Sequence, residues 1–536
     1  MIEILGIEIA QQAVLTGLVT GLTYAAFAAG FVLIYRSTGV LNFAHGEMGA
    51  FGLAVFVLLI ANYGLNWWLA FVLAIAACAA AGAVAELIVV RRLFDSPRLV
   101  LLIATIGIGQ ILLVARTLWI PDITTGGPVP TAFTALWEPT DDLRLQAREI
   151  TVLAVVPVLV AALGLFLTRT RFGLAVRASA SNPDTARVFG TSPRRVSTIV
   201  WAISGAFAAT TAILIAPIDG VQAALVDDSG QALAEVLLLR VLVVSLLARM
   251  RSIPGVLAGG IVVGVVEKIV RDNVATSNRT IVDLFMFVGV LAVVLWLARS
   301  QREDGSWTLS PRGNAIPERL RSVWWVRNLN HIGFVALFGL LAVIPVFVTS
   351  SNGLFTWSII LIWGMVALSV TVLTGWSGQL SLGQFAFVGV GGLSTLAFTK
   401  GHDIPVPFDL FDVSLTLPWG AAIALGTAVG VVFAVLVGLP ALRVRGLFLA
   451  VVTLAFAVAA ARWLFIQDVF TGGTTSPRPV DPPALFGVDL GGEGRGDDEN
   501  RRGQYYLCLV ALIMLAWIAS RIRASGVGRT FIAVRD

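Results

Sequence analysis

The sequence predicts an all-α, polytopic membrane protein with about fifteen transmembrane helices, arranged as two related halves in tandem. The first observation is composition: 57% of the 536 residues are hydrophobic and 13% are charged, whereas soluble domains carry roughly 25% charged residues. The second is a series of apolar runs of about 17–25 residues, long enough for helices to cross a hydrocarbon core of roughly 30 Å. The third is a polar, Gly-rich stretch that occurs once in each half.

The predicted transmembrane spans follow these apolar runs. We place them near residues 11–35, 41–60, 67–90, 99–119, 150–168, 197–217, 233–248, 253–270, 281–298, 331–349, 355–373, 380–399, 418–440, 446–466 and 505–520. Roughly 24 cations fall in the loops on one side of this arrangement and about nine on the other, and basic loops favour the cytoplasm. The N-terminus is therefore predicted to be extracytoplasmic, in a multi-pass protein of the plasma membrane.

The repeated stretch spans Val40 to Gly52 in the first half and Trp376 to Gly392 in the second. At an offset of 378 − 39 = 339, Gly39 meets Gly378, Leu41 meets Leu380, Asn42 meets Ser381 and His45 meets Gln384. Two related halves of a membrane protein usually surround a shared pathway for a solute.

Five polar residues of these stretches are candidates for lining such a pathway: Asn42, His45, Glu47, Ser381 and Gln384. They lie among glycines, which allow helices to break or to pack closely. The alternative is that these side chains form hydrogen bonds between helices, as polar groups commonly do inside membrane bundles.

Composition also divides the chain. Charged residues, Pro and Gly rise together between Arg299 and Asn328 while the apolar pattern disappears, which is typical of a cytoplasmic linker. We therefore expect one half at residues 1–298, a linker at 299–330 and a second half at 331–536.

Charged residues near the span ends are predicted to snorkel or to form ion pairs. This set contains Glu86, Arg116, Glu235, Arg240, Glu267, Lys268 and Asp283. Four glycines, Gly259, Gly260, Gly391 and Gly392, are predicted to allow close contact between helices.

A third informative segment runs from Phe172 to Val196 on the predicted cytoplasmic side. Asn182 and Pro183 are typical of a helix start, and Gly190 is typical of a helix end. A short amphipathic helix of this kind can dock into a groove of a partner protein, although the same pattern also describes an ordinary helical loop.

The sequence contains no recognisable catalytic or metal-binding motif. It lacks a GxxxxGK[ST] loop, and its only lysines are Lys268 and Lys400, so the chain cannot carry a P-loop ATPase. The two cysteines lie in apolar runs and the three histidines show no metal-ligand spacing. We therefore expect no enzyme, no cofactor, no metal and no nucleic-acid partner.

The first half resembles the LivH-type permeases of branched-chain amino acid ABC importers. The resemblance rests on RSTGVLNFAHGEMGAFG, FGLAVRASASNPDTARVFGTSPRRV and RSIPGVLAGGIVVG. The second half resembles the LivM-type partner through TGWSGQLSLGQFAFVGVGG, RVRGLFLAVVTLAF and TGGTTS.

The resemblance implies a fused pair that forms the translocation core of an importer for branched-chain, hydrophobic amino acids. It further implies two cytoplasmic ABC ATPase subunits and an extracytoplasmic amino-acid-binding protein as partners. In that family the cytoplasmic helix after a Phe-Gly start couples to the ATPase, so Asp184, Ala186, Arg187 and Gly190 become candidates for coupling.

Two departures from the family pattern stand out. Residues Leu247 to Met250 occupy the place where the family commonly has a Gly-Gly pair, which raises the question of how the helices pack there. The segment from Ser525 to Asp536 begins like a second coupling segment and then stops, so we expect a LivM-type half that is incomplete at its C-terminus.

Other functions remain open on the sequence. The same machinery could carry urea or short amides, since the pathway motifs do not name a solute. An ion-coupled secondary transporter would need an intramembrane carboxylate pair, but Ala386 stands opposite Glu47 at the repeat offset. An inert remnant of a broken gene is the third alternative.

Overall fold

The computed structural model describes most of the chain. The described residues are 2–4, 7–94, 96–119, 131–132, 136–140, 143–219, 233–274, 281–298, 323–400, 403–405, 412–414, 416–441, 447–467, 470, 484–485, 488–489 and 498–535. The chain divides into two compact units, Met1–Ser306 and Trp307–Asp536. Residues 299–322 of the predicted linker and the motif Thr471–Ser476 lie outside the described residues. The predicted domain boundaries stay a prediction.

Among its described residues, the first unit consists mainly of helices, with two short hairpins. Its helices are α1 (Gln11–Thr38), α2 (His45–Ala61), α3 (Trp67–Ile88), α4 (Arg98–Trp119), α5 (Ala147–Arg169), α6 (Arg171–Ser181), α7 (Pro183–Val188), α8 (Pro193–Asp219), α9 (Leu233–Leu247), α10 (Ile253–Asn273) and α11 (Ile281–Ala298). A 3₁₀ turn, Val90–Leu93, follows α3. The antiparallel hairpins join β1 (Ile2–Ile4) to β2 (Ile7–Ile9) and β3 (Leu136–Thr140) to β4 (Leu143–Gln146).

The second unit has the same character. Its helices are α12 (Trp324–Arg327), α13 (Leu329–Phe347), α14 (Ser351–Val370), α15 (Gln384–Lys400), α16 (Trp419–Ala441), α17 (Leu447–Ala459), α18 (Asp498–Ala524) and α19 (Gly526–Arg535). π-Helical turns extend α14 over Thr371–Trp376 and α17 over Ala460–Leu464. Two antiparallel hairpins pair β5 (Asp403–Pro405) with β6 (Asp412–Ser414) and β7 (Ala484–Leu485) with β8 (Val488–Asp489).

Within the described residues, nine helices are long and apolar enough to cross a membrane: α1, α3, α4, α5, α8, α10, α14, α16 and α18. Shorter apolar helices are α2, α9, α11, α13 and α17. The prediction of an all-α polytopic membrane protein is confirmed, because every predicted span overlaps a helix. The total of about fifteen membrane-crossing helices stays a prediction.

Helix α1 forms the centre of the first unit, where it packs against α8, α9 and α10. Small residues let α10 approach its backbone closely: a Cβ added at Gly21 would lie 2.4 Å from the carbonyl oxygen of Gly260, and one at Gly264 would lie 2.3 Å from the Gly21 nitrogen. The Gly-x-x-x-Gly spacing thus brings two backbones into contact, as in many membrane helix pairs.

The predictions for the four glycines are only partly confirmed. Gly260 lies in the helix crossing, and a Cβ added at Gly426 would lie 2.8 Å from the carbonyl oxygen of Gly391. Gly259 has ordinary van der Waals neighbours, and a Cβ at Gly392 would meet no atom within 4 Å. The prediction of close helix contact is therefore wrong for Gly392, which faces open space among the described residues.

The predicted ion pairs form within the first unit. The Arg240 guanidinium binds Glu267 at 2.8 Å and Asp283 at 3.0 Å, which joins α9 to α10 and α11. All three side chains are buried. Lys268 pairs with Asp272 at 2.8 Å. The side chain of Glu235 lies outside the described residues.

The turn from α9 to α10 explains the first departure from the family pattern. Arg249 and Met250 adopt left-handed backbone angles, with φ of 53° and 54°, a conformation that glycine adopts without steric cost. Backbone hydrogen bonds of 2.8 Å hold the turn, from Arg249 to Leu246 and from Met250 to Ser245. The side chain of Met250 is buried and the Arg249 guanidinium lies 5.1 Å from the Trp296 ring, so side-chain packing holds a turn that glycine would adopt more easily.

Candidate functional site: two broken helical segments

The first repeated stretch forms a break between α1 and α2. Helix α1 ends at Thr38, and Gly39 then takes a left-handed backbone with φ of 69°, which glycine adopts readily. The side-chain oxygen of Asn42 accepts a hydrogen bond of 3.0 Å from the backbone N–H of Ala44, and α2 begins at His45. Asn42 is fully buried, so its side chain turns the chain into α2 within the protein interior.

The second repeated stretch forms the same break in the other unit. Gly378 has a φ of 68°, the Ser381 hydroxyl accepts a hydrogen bond of 3.4 Å from Gly383 N–H, and α15 begins at Gln384. These features match the first stretch at the offset of 339 residues that the sequence predicts. We call residues 39–44 and 378–383 the first and second broken segments.

A threonine from another helix holds each broken segment. In the first unit the Thr105 hydroxyl on α4 accepts a hydrogen bond of 3.1 Å from Phe43 N–H. In the second unit the Thr453 hydroxyl on α17 accepts a bond of 3.0 Å from Leu382 N–H. Sequence reasoning missed both residues, although a single threonine stands in the apolar runs LLIATIG and LAVVTLA, which occupy the same place in the helix order of each half.

Replacing these threonines tests the matched geometry. We expect Thr105→Val and Thr453→Val each to destabilise the protein by about 1–3 kcal/mol, because valine keeps the volume and leaves a backbone N–H without its acceptor. The change is measured as unfolding in detergent or nanodiscs. Thr117→Val is the control, because Thr117 is exposed on α4 and its hydroxyl donates to the Val114 carbonyl of its own helix. Equal stability of Thr105→Val and Thr117→Val would contradict the expectation.

His45 joins three helices. Its Nε2 lies 3.0 Å from the Phe27 carbonyl oxygen on α1, and its Nδ1 lies 3.1 Å from the Ser204 hydroxyl on α8. A carbonyl can only accept, so Nε2 carries the proton and the Ser204 hydroxyl donates to Nδ1. The ring is fully buried with Phe27 at 4.4 Å in an edge contact. This geometry is that of an interhelical hydrogen-bonding residue.

Glu47 and Arg116 form an ion pair beside the first broken segment. The Arg116 Nη2 lies 3.7 Å from the Glu47 Oε2, with 7% and 10% of the two side chains exposed. This contact confirms the expected ion pairing of Arg116. Of the five predicted pathway residues, Asn42, His45 and Glu47 are buried in the first unit, and in the second unit Ser381 is buried and Gln384 is half-buried.

The short helix α7 lies between α6 and α8, as the segment from Phe172 to Val196 predicts. The Asn182 side chain accepts hydrogen bonds of 3.0 Å from the N–H groups of Asp184 and Thr185. After α7, Gly190 takes a left-handed φ of 79°. Arg187 binds Asp184 at 2.9 Å on the exposed face of α7.

The tip of α7 exposes two apolar side chains that sequence reasoning missed. Val188 is 84% exposed and Phe189 is 82% exposed. Ala186 is buried and packs α7 against its own chain. The available signal was an apolar pair directly before the helix-ending glycine, in a segment otherwise rich in arginine. Beside this tip lies a groove of about 460 Å³, lined by Arg187, Gly190, Thr191, Ser192, Pro193 and Arg194.

Comparison with known proteins assigns the chain to a family. The family of branched-chain amino acid transport system permease components matches residues 13–295 and 352–536, which include both broken segments. The chain belongs to this family. It is the permease component of a branched-chain amino acid ABC transport system and is not itself catalytic.

Curated relatives match in two groups. The chain is 28% identical over 297 residues to the permease LivH of Escherichia coli K12, covering 53% of this chain and 93% of LivH. It is 27% identical over 290 residues to BraD of Pseudomonas aeruginosa, covering 52% of this chain and 92% of BraD. It is also 28% identical over 218 residues to LivM of E. coli K12, covering 38% of this chain and 48% of LivM. No solved structure matches significantly.

The expected family is thus confirmed: the first half of this permease is LivH-like and the second half is distantly LivM-like. The permease is a multi-pass membrane protein.

Proposed function

We propose that this permease is a fused pair of related halves that transports branched-chain, hydrophobic amino acids. The observation that carries the proposal is the pair of broken segments, each with a left-handed glycine, a side-chain-capped turn and a threonine from another helix. Paired broken helices mark the solute pathway in many transporter folds built from repeats.

The helix order of the two units supports the tandem arrangement. In the first unit α1 is followed by the broken segment and then by α2 to α6, and in the second unit α14 is followed by its segment and then by α15 to α19. The Thr170 hydroxyl caps α6 by accepting from Gly173 N–H at 3.0 Å. Ser525 accepts from Gly528 N–H at 3.4 Å before the body of α19. The repeat therefore extends from the pathway segment to the predicted cytoplasmic face.

The proposed membrane arrangement rests on the distribution of basic residues among the loops. About fifteen helices cross the bilayer, with an extracytoplasmic N-terminus, because the basic loops then lie in the cytoplasm. Asn42, Glu47, Ser381 and Gln384 line or border the pathway. His45 holds the first broken segment in place through its bonds to Phe27 and Ser204.

Transport is driven from outside the chain. Two ATPase subunits dock at the cytoplasmic face and change which side of the pathway is open, and an extracytoplasmic binding protein delivers the amino acid. The tip of α7 supports this arrangement, since exposed Val188 and Phe189 with the adjoining groove form a compact docking surface. Asp184, Arg187 and Gly190 shape the tip, and Ala186 anchors it.

Uptake of radiolabelled leucine tests the proposed function, with urea measured in parallel. The assay uses the organism that encodes this permease, with the gene deleted and then restored. Saturable leucine uptake that depends on the restored gene and on ATP is the expected result. Gene-dependent uptake of urea without leucine would replace the substrate assignment, and uptake that persists without ATP would overturn the proposed ATPase partners.

Substitution of the α7 tip tests the coupling surface. We expect Val188→Ser/Phe189→Ser to reduce leucine uptake at least tenfold without changing the amount of folded protein, because apolar side chains exposed at a tip contribute to docking rather than to the core. Val158→Ser is the control, since Val158 is 68% exposed on the membrane-crossing helix α5. Normal uptake by the α7 variant would remove α7 from the coupling mechanism.

A further inference from the structure

The charges of the Glu47–Arg116 pair come from two helices that meet at the first broken segment. Their closest N–O distance is 3.7 Å, and about nine-tenths of each side chain is buried. Charge-assisted hydrogen bonds between such groups are usually about 2.7–2.9 Å long. The two ions therefore attract each other within a largely apolar environment without the close contact of a tight salt bridge.

The spacing along α4 explains how the pair reaches the broken segment. Thr105, Gly109 and Arg116 follow one another at intervals of four and seven residues, which places them on one face of the helix. Thr105 binds the segment directly. A Cβ at Gly109 would lie 3.7 Å from the Glu47 Cγ, so the small residue leaves room for the Glu47 side chain. Side chains of helices lean toward the N-terminus, which brings the Arg116 guanidinium back toward Glu47.

The second unit shows that a broken segment does not need this pair. At the repeat offset of 339, Ala386 occupies the position that corresponds to Glu47. Thr105 and Thr453 are 348 positions apart, and at that offset Leu464 occupies the position that corresponds to Arg116. The second segment nevertheless has the same left-handed glycine and the same threonine bond. Ionisable groups inside a membrane are expensive and are usually retained for function.

We propose that Glu47 and Arg116 form a binding site for the zwitterionic backbone of an α-amino acid. Arg116 receives the carboxylate of the ligand and Glu47 receives its ammonium group. Each ion then exchanges its present partner for an opposite charge of the ligand, so no charge is left unpaired in the interior. This inference rests on the proposed function and deepens it, because urea carries neither charge.

Charge-neutral variants test the site in the deletion strain described above. We expect Glu47→Gln, Arg116→Gln and the double variant to raise the half-saturating leucine concentration at least tenfold. Leu464→Gln and Ala386→Ser, at the matched positions of the second unit, should stay within twofold of wild type. Unchanged leucine uptake by the double variant would overturn the site and leave the proposed function intact, whereas wild-type cells without leucine uptake would reject the proposed function itself.

A charge-reversed variant separates binding from a structural ion pair. Glu47→Arg/Arg116→Glu retains opposite charges at the two positions. A structural pair would be rescued in both melting temperature and leucine uptake, and that result would contradict the proposal. A site shaped for one orientation of the zwitterion predicts a melting temperature near wild type with uptake still at least tenfold impaired.

A measurement on the wild-type protein keeps the test valid if variants fail to fold. Purified permease in nanodiscs is melted with millimolar leucine, with 4-methylpentanoate, which lacks the ammonium group, or with 3-methylbutylamine, which lacks the carboxylate. Leucine is expected to raise the melting temperature while neither analogue does, because the site needs both charges. Equal stabilisation by either analogue, or no shift with leucine, would overturn the zwitterion site.

Discussion

Arg240→Met is expected to destabilise the permease by about 3–5 kcal/mol, because it removes the buried cation that Glu267 and Asp283 share. Glu267 then keeps its pair with the partly exposed Arg271 at 2.9 Å. Arg240 binds Glu267 through Nε at 3.0 Å and Nη2 at 2.8 Å, and binds Asp283 at 3.0 Å. The change is measured as the shift of the unfolding curve of purified protein in detergent. It also lowers the amount of folded protein in the membrane.

Two further variants make the Arg240 experiment decisive. Lys268→Met removes a partly exposed pair with Asp272 on the same helix, and such pairs contribute about 0–1 kcal/mol. The triple variant Arg240→Met/Glu267→Gln/Asp283→Asn neutralises the three buried side chains and leaves Arg271, which is 45% exposed, to the solvent. It is expected to recover most of the lost stability, since buried ion pairs replaced as a set are often neutral. An Arg240→Met protein as stable as Lys268→Met would show that the cluster does not hold α9, α10 and α11 together.

Gly264→Ala is expected to destabilise the first unit by about 1–3 kcal/mol through overpacking. A Cβ at Gly264 would lie 2.3 Å from the Gly21 nitrogen and 2.4 Å from its Cα, and these are backbone atoms that cannot rotate away. Helices α1 and α10 must therefore separate, and α1 is the central helix of that unit. Thermal unfolding of purified protein measures the effect.

The matched control for Gly264 is Gly164→Ala on α5, where a Cβ would meet no atom within 4 Å. Alanine has the higher helix propensity by roughly 1 kcal/mol, so this variant is expected to be unchanged or slightly more stable. Comparable losses for both variants would mean that the close crossing of α1 and α10 does not determine the response.

Much of the fold could be predicted from the sequence because membrane helices are specified locally. A run of about 17–25 apolar residues must form a helix in lipid, since every backbone N–H and C=O needs an internal partner. The two breaks were also predictable, since Gly39 and Gly378 precede matching polar stretches at a fixed offset.

The two threonines that bond to the broken segments were harder to predict from the sequence. The Thr105 hydroxyl accepts a hydrogen bond from the N–H of Phe43, which is 62 positions away in the sequence. The Thr453 hydroxyl accepts one from the N–H of Leu382, which is 71 positions away. An isolated threonine in an apolar run usually bonds to its own helix, and both of these threonines do that as well. The bond to the broken segment becomes visible only when the packing of the two segments is known. The exposed Phe189 was missed for a similar reason, since exposure depends on the packing of α6, α7 and α8.

The sequence by itself therefore determined the membrane class, the order of the helices, the repeated broken segments and the family, because these depend on apolar length and on short ordered motifs. The tertiary structure alone decided which polar groups meet. It paired Arg240 with Glu267 and Asp283, paired Glu47 with Arg116, and placed His45 between Phe27 and Ser204. The physical reason is that apolar burial is a property of each segment, whereas an ion pair or an interhelical hydrogen bond requires two distant segments to present their groups at the same depth and on facing sides.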